Sequence, residues 1–140
     1  MAGVGTYLFL PGNTEEAFEF YKAAFGTEYA GNGLMRYSDA PDNAGVPDDQ
    51  AHTVMHVGLP ILGDHMLMGT DSPDVNVSQS VTIMLMPDTK EEADDLFAKL
   101  SEGGSSIEAM ADMFWGDYWG SLTDKFGIGW QIDVEGTPDG

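Results

Sequence analysis

Two stretches of this sequence superimpose without a gap: TYLFLPGNTEEAFEFYKAAFG, Thr6 to Gly26, and TIMLMPDTKEEADDLFAKLSE, Thr82 to Glu102. Thr6 meets Thr82, Pro11 meets Pro87, and Glu15-Glu16-Ala17 meets Glu91-Glu92-Ala93, each 76 positions later. Both copies open with an apolar run rich in strand formers, pass a turn, and change to a helical period. Asn13 with Glu16 and Thr89 with Glu92 have the spacing of a capping box, in which the first side chain accepts a free backbone N–H and the acid reaches back. Ala17, Phe20, Tyr21 and Ala24 then fall at i, i+3, i+4 and i+7, as do Ala93, Leu96, Phe97 and Leu100. Gly26, and Gly103 with Gly104, read as helix stops. Each helix therefore carries one apolar stripe to lay on a sheet.

Working outward, three strand candidates follow the first helix, TEYAGNGLMRYS, HTVMHVGLPIL and DHMLMGTD, with a Pro/Asp/Gly-rich loop at Ala40 to Asp49 and a tight turn near Gly63-Asp64. SIEAM, YWGSLTD and GWQIDV follow the second, with a turn from Asp124 to Gly127. Each half reads βαβββ, an α+β arrangement. The expected organisation is one domain with module one at 1–71, a linker at 72–79 and module two at 80–140.

Composition narrows the chemistry. Without cysteine, disulfides, thiolate zinc sites and cysteine nucleophiles are excluded. No signal peptide and no run of apolar residues long enough to span a bilayer is visible, which leads to the expectation of a soluble, cytoplasmic protein. The 24 acidic residues face only 5 Lys or Arg, a formal net charge of −19. The acids are scattered, as at Asp42, Asp48, Asp49, Asp74, Asp94, Asp95, Asp112 and Asp139, so they read as a solvated coat suited to a halophilic, salt-adapted cytoplasm. Nucleic acid and anionic membranes are poor partners for such a surface. No EF-hand spacing is present.

The blocks YLFLPGNTEEAFEFYKAAFG, LMRYSD, VMHVGLPILGDHMLMGTD and MFWGDYWGSLTDKFGIGWQID, in this order, resemble the PhnB-like branch of the vicinal oxygen chelate superfamily, which includes glyoxalase I, bleomycin- and fosfomycin-resistance proteins and extradiol dioxygenases. The resemblance implies two βαβββ modules curled into a cup-shaped incomplete barrel around a ligand, and homodimers. It also implies, for the enzymes, divalent-metal ligands on the first and last strands of each module. The matching positions here are Thr6, Thr82, Gln131 and one near Leu67 or Met68, none a strong ligand, so no metal or other cofactor is expected. A methyltransferase label attached to PhnB-like sequences finds no glycine-rich strand–turn–helix here to support it.

His56 is the candidate for proton transfer: alternation puts Val54, His56 and Gly58 on one face and Met55, Val57 and Leu59 on the other, with a carbonyl-bonded structural histidine as the competing reading. His52 and His65 read as solvent-facing, and Arg36 as half of a structural ion pair rather than an anion-binding group. Aromatics of the stretch from Phe114 to Asp133 supply both core and pocket wall, with Trp115 and Tyr118 at a rim and Trp119 and Trp130 open to either role. The expected ligand-facing set is Thr6, Met35, Tyr37, His56, Thr82, Trp115, Tyr118 and Gln131. The leading reading is metal-independent binding of a small molecule by a homodimer. The alternative is a metal-dependent lyase, isomerase or dioxygenase of the glyoxalase type, or an enzyme using His56 as acid–base, and a purely structural dimer is a third. The sequence names no ligand.

Overall fold

A computed structural model describes residues 3–76, 78 and 80–136; positions 77 and 79 of the expected linker and the end of the chain with position 139 lie outside the described residues. The chain divides into two compact units, Met1–Asn76 and Val77–Gly140. The first unit contains β1 (Thr6–Leu10), α1 (Thr14–Phe25), β2 (Met35–Arg36), β3 (Val54–Pro60) and β4 (Met66–Asp71). The second contains β5 (Thr82–Leu85), α2 (Lys90–Ser101), β6 (Ser105–Asp112), β7 (Tyr118–Thr123) and β8 (Gly129–Val134). Each unit is βαβββ, with four strands in the orders β1-β4-β3-β2 and β5-β8-β7-β6. The first strand of each unit runs parallel to the last, and the others are antiparallel, giving two open mixed sheets.

The helix signals are only partly as expected. Thr89 Oγ1 accepts the Glu92 N–H at 3.1 Å, the first half of the capping box. Asn13 makes no side-chain cap. The start of α1 is instead held at Thr14 by Asp71 at the end of β4, whose Oδ1 accepts the Thr14 N–H at 2.9 Å while Oδ2 accepts the Val54 N–H at 2.8 Å. One carboxylate thereby ties the start of α1 to β3 and β4. Gly26 closes α1 in the left-handed region at φ 67°, where its N–H reaches the Lys22 carbonyl. The expected long strand before the first loop reduces to Met35 and Arg36, because Gly31 and Gly33 turn with positive φ, and Ala30 instead donates to the Gly58 carbonyl at 2.8 Å.

Packing explains the most informative correction. In α1 the fully buried aromatics are Phe18 and Tyr21, while Phe20 is half-buried. Phe18 has room because Gly69 of β4 lies beneath it: a Cβ added to Gly69 would stand 2.6 Å from the Phe18 ring. In the second unit the helical counterpart of Phe18 is exposed Asp94, and the interior is filled instead from the sheet, by fully buried Trp130. Register confirms the exchange, since Leu8 faces Gly69 and Ile83 faces Trp130. A glycine in a strand costs roughly 1 kcal/mol, whereas burying a phenylalanine side chain returns about 1.5–3 kcal/mol, so the large-over-small pairing wins.

The same registers shift the sequence alignment by one residue within the strands. Burial is complete at Leu10 and at 3% exposure for Leu85, both strand ends, so Leu10 corresponds to Leu85 and Tyr7, not Thr6, to Thr82. The link to the helix is 11–13 in one unit and 86–89 in the other, one residue longer. The gapless match therefore holds for the helices and slips for the strands that precede them.

Gly69→Ala is expected to lower the unfolding free energy by about 1–3 kcal/mol through overpacking, and adding Phe18→Leu should restore part of it. Urea midpoints of wild type, single and double variants measure this; an unchanged midpoint for Gly69→Ala would mean the ring is not seated on residue 69.

Candidate functional site

In the first unit, Val57, Leu59 and Leu67 are fully buried. Alternation turns Tyr7, Phe9, His56, Gly58, Met66 and Met68 to the opposite face of the sheet. Tyr7 and Phe9 are 41% and 53% exposed, and their rings lie 5.3 Å apart. On this face a cavity of about 320 Å³ is bounded by the 30–33 turn, Met35, His56, Gly58, Met66 and Met68. Ala30 is pinned to β3 through the Gly58 carbonyl, which holds the turn over the sheet as a wall. Met35 pairs with His56 across the β2–β3 register, so these two expected site residues share one cavity.

The Tyr7 hydroxyl lies 3.1 Å from His56 Nδ1. Burial and then the nearby Tyr37 raise the Tyr7 phenol above its ordinary value, which keeps its hydrogen in place for donation. With that hydrogen assigned to Nδ1, a neutral His56 ring carries its proton on Nε2 and presents an N–H. The carbonyl-bonded reading of His56 gives way to a phenol-bonded one. Tyr7, Met66, Met68 and the 30–33 turn were absent from the expected set. Strand alternation marks Tyr7 once Leu8 and Leu10 are known to point inward, but the gapless alignment directed attention to Thr6.

Thr6 itself lies on the Leu8–Leu10 side of β1 and bonds His65 Nε2 at 2.8 Å, which makes His65 a half-buried tether rather than a solvent-facing residue. His52 is exposed as expected. Arg36 is paired with Glu15 at 2.8 Å and donates to the His52 carbonyl at 3.0 Å, the structural role expected of it. Tyr37 lines a separate cavity, toward the α1 end of the unit.

The second unit presents a different set. Trp119 Nε1 donates to Gln131 Oε1 at 3.0 Å, and Gln131 Nε2 donates to Thr82 Oγ1 at 2.8 Å, so both ends of the amide are engaged. Thr82 and Gln131 occupy the positions where the resemblance implies metal ligands. In the first unit the register places the matching pair at Tyr7 and Thr70, rather than Thr6 and Leu67 or Met68. Thr70 Oγ1 donates to the Val54 carbonyl at 3.2 Å. A phenol, two hydroxyls and an amide whose oxygen already accepts an indole N–H do not fit a divalent ion, and among the described residues no group of three or more His, Asp or Glu converges to hold one.

Trp115 and Phe114 sit in the 113–117 turn, 53% and 97% exposed, with rings edge to face at 4.9 Å. The Tyr118 hydroxyl donates to Asp94 at 2.6 Å, beside the Lys90–Asp112 ion pair, which raises the phenol. Trp130 is resolved as core: its Nε1 donates to buried Asp124 at 2.8 Å. Asp133 is pushed up to about 6 by burial and by its hydrogen bond to Asp117.

The family model described as 3-demethylubiquinone-9 3-methyltransferase matches residues 2–133. Protein PA1353 from Pseudomonas aeruginosa is similar at 31% identity with a TM-score of 0.82, over 96% of this chain and 98% of that one. The PhnB protein from Bacillus cereus is similar at 26% identity and a TM-score of 0.75, over 95% and 99%. A glyoxylase/bleomycin resistance protein/dioxygenase domain from Frankia shares the fold at 11% identity and a TM-score of 0.66, over 100% and 96%.

Because Asp133 binds its proton more tightly folded than unfolded, its contribution is least favourable above about pH 6 and improves as pH falls toward about 4. Urea midpoints between those values should rise less on acidification for Asp133→Asn than for wild type; equal rises would remove Asp133 as the cause. The matched model and the 31% identical relative together make this chain a member of the PhnB-like family described as 3-demethylubiquinone-9 3-methyltransferase, and its βαβββ units have the fold of the glyoxalase/bleomycin resistance/dioxygenase domain.

Proposed function

We propose that the first unit binds a small, neutral, carbonyl-bearing organic molecule on the sheet face opposite α1, without a metal ion. The observation that carries this reading is the His56 cavity, where the imidazole is held through Nδ1 by the Tyr7 hydroxyl among methionine side chains; with the phenol as donor, Nε2 offers an N–H. Thioether side chains are polarizable and conform to varied apolar shapes, so they favour contact with a flat or irregular ligand over strict selection. A carbonyl oxygen would complete the imidazole hydrogen bond. A carboxylate would meet the field of a chain with net charge −19. The family description names a methyl transfer, but the strand-to-helix links at 11–13 and 86–89 carry no glycine-rich phosphate loop, and methyl transfer forms no part of this reading.

A second reading, acid–base chemistry on the bound molecule, draws on the same pair, because an imidazole oriented by a phenol can exchange a proton at its other nitrogen. Binding comes first in either case.

Titration with acetophenone, followed by amide chemical shifts, should perturb residues of the 30–33 turn and β3. His56→Ala should weaken binding by several-fold to about tenfold, the worth of one hydrogen bond, and Tyr7→Phe by less, while added Mn²⁺ or Ni²⁺ should leave the affinity unchanged. Affinity indifferent to His56→Ala, or dependent on the metal, would overturn the proposal.

A further inference from the structure

A second cavity, of about 390 Å³, shares no lining residue with the His56 cavity. Its lining includes Pro11, Pro47 and Pro73 together with Tyr37, Gln50 and Asp71. The three prolines have fixed φ, so this part of the lining is stiff and little ordering is needed on binding. Asp71 is only 8% exposed yet lines this space. Each of its oxygens accepts one backbone N–H, from Thr14 and Val54, and each retains a further lone-pair direction. Among the described residues no lysine or arginine bonds Asp71. Arg36 lies within electrostatic range of it, but its guanidinium is held by Glu15 and the His52 carbonyl. Neither the Tyr37 hydroxyl nor the Gln50 side-chain amide has a hydrogen-bond partner among the described residues.

We infer that this cavity binds a small organic cation, a primary alkylammonium, with its charge toward Asp71 and Tyr37 and its aliphatic body against Val46 and the prolines. A buried carboxylate with spare acceptor capacity rewards a donor that carries positive charge. The Tyr37 ring adds the attraction of an aromatic face for a cation. An anion would be repelled by Asp71, and a neutral alcohol would satisfy its lone pairs more weakly. The site is independent of the His56 cavity and stands whether or not that cavity binds a carbonyl compound.

The test is titration of the full, isotope-labelled chain with n-butylammonium, n-butanol and butyrate in about 1 M KCl, where the Debye length of about 3 Å suppresses diffuse attraction to the acidic surface. Butylammonium should produce saturable amide shifts at Gly12 and Thr53 and bind at least about tenfold more tightly than butanol, the discrimination expected of a charge-assisted hydrogen bond. Gln50→Lys should place a resident ammonium in the cavity and abolish these shifts without lowering the unfolding midpoint. If that variant does not fold, Tyr37→Leu should weaken butylammonium binding several-fold while leaving the weaker butanol binding unchanged. Equal affinity for butanol, shifts scattered over the surface rather than at Gly12 and Thr53, or binding indifferent to whichever of the two variants folds would overturn the inference.

Discussion

A carboxylate taken out of water must be given donors, and both units of this protein are organised around one that has been. In the second unit Asp124, 3% exposed, accepts the N–H groups of Phe126 and Ile128 at 2.9 and 3.0 Å and the Trp130 indole at 2.8 Å. That single side chain closes the turn between β7 and β8 and fixes the orientation of the largest core residue. In the first unit Asp71 performs the corresponding work between α1, β3 and β4. Truncating either would strand two backbone donors at about 1–3 kcal/mol each where no water replaces the lost acceptor, so these positions constrain the fold more than any of the exposed acids do. The large negative charge therefore has two physical roles: most of it is surface, and a small buried part is architecture.

The order of elements was legible because the repeat carries its own punctuation. Pro11 and Pro87, Glu15–Ala17 and Glu91–Ala93, and the glycine stops mark strand, turn and helix twice over, and both units are built accordingly. What the pattern did not contain was which unit's helix supplies the large ring. Phe18 and Phe20 are equally apolar in sequence, and only the absence of a side chain at Gly69, more than forty positions away, decides between them. Likewise, Asn13 has the spacing of a cap but makes none, while Asp71 reaches the neighbouring Thr14 N–H from β4 with a full charge, so the start of α1 is tied by a tertiary donor–acceptor pair rather than a local one.

The candidate site was legible in part for the same reason. Alternation alone turned His56 away from Val57 and Leu59, and it shares a cavity with Met35. Tyr7 was hidden because aligning the two modules by identity equated Thr6 with Thr82, whereas the extra residue between β5 and α2 reverses which of two neighbours faces outward. Thr82 and Gln131 do meet, but as members of a chain through Trp119 rather than as free donors. The two sheets thus present unlike faces: a phenol–imidazole pair among thioethers in one, and an indole–amide–hydroxyl chain in the other.

The exchange of bulk between Phe18 over Gly69 in one unit and exposed Asp94 with buried Trp130 in the other bears on how the halves could be recombined. A chimera carrying α2 on the first sheet would set Asp94 above a glycine and leave a hollow, while α1 on the second sheet would drive Phe18 into the space of an indole. Two segments that read as copies of one another are in this respect lock and counter-lock. Each module has become obligate to its own helix, and an engineered duplication of either half would have to move helix and last strand together.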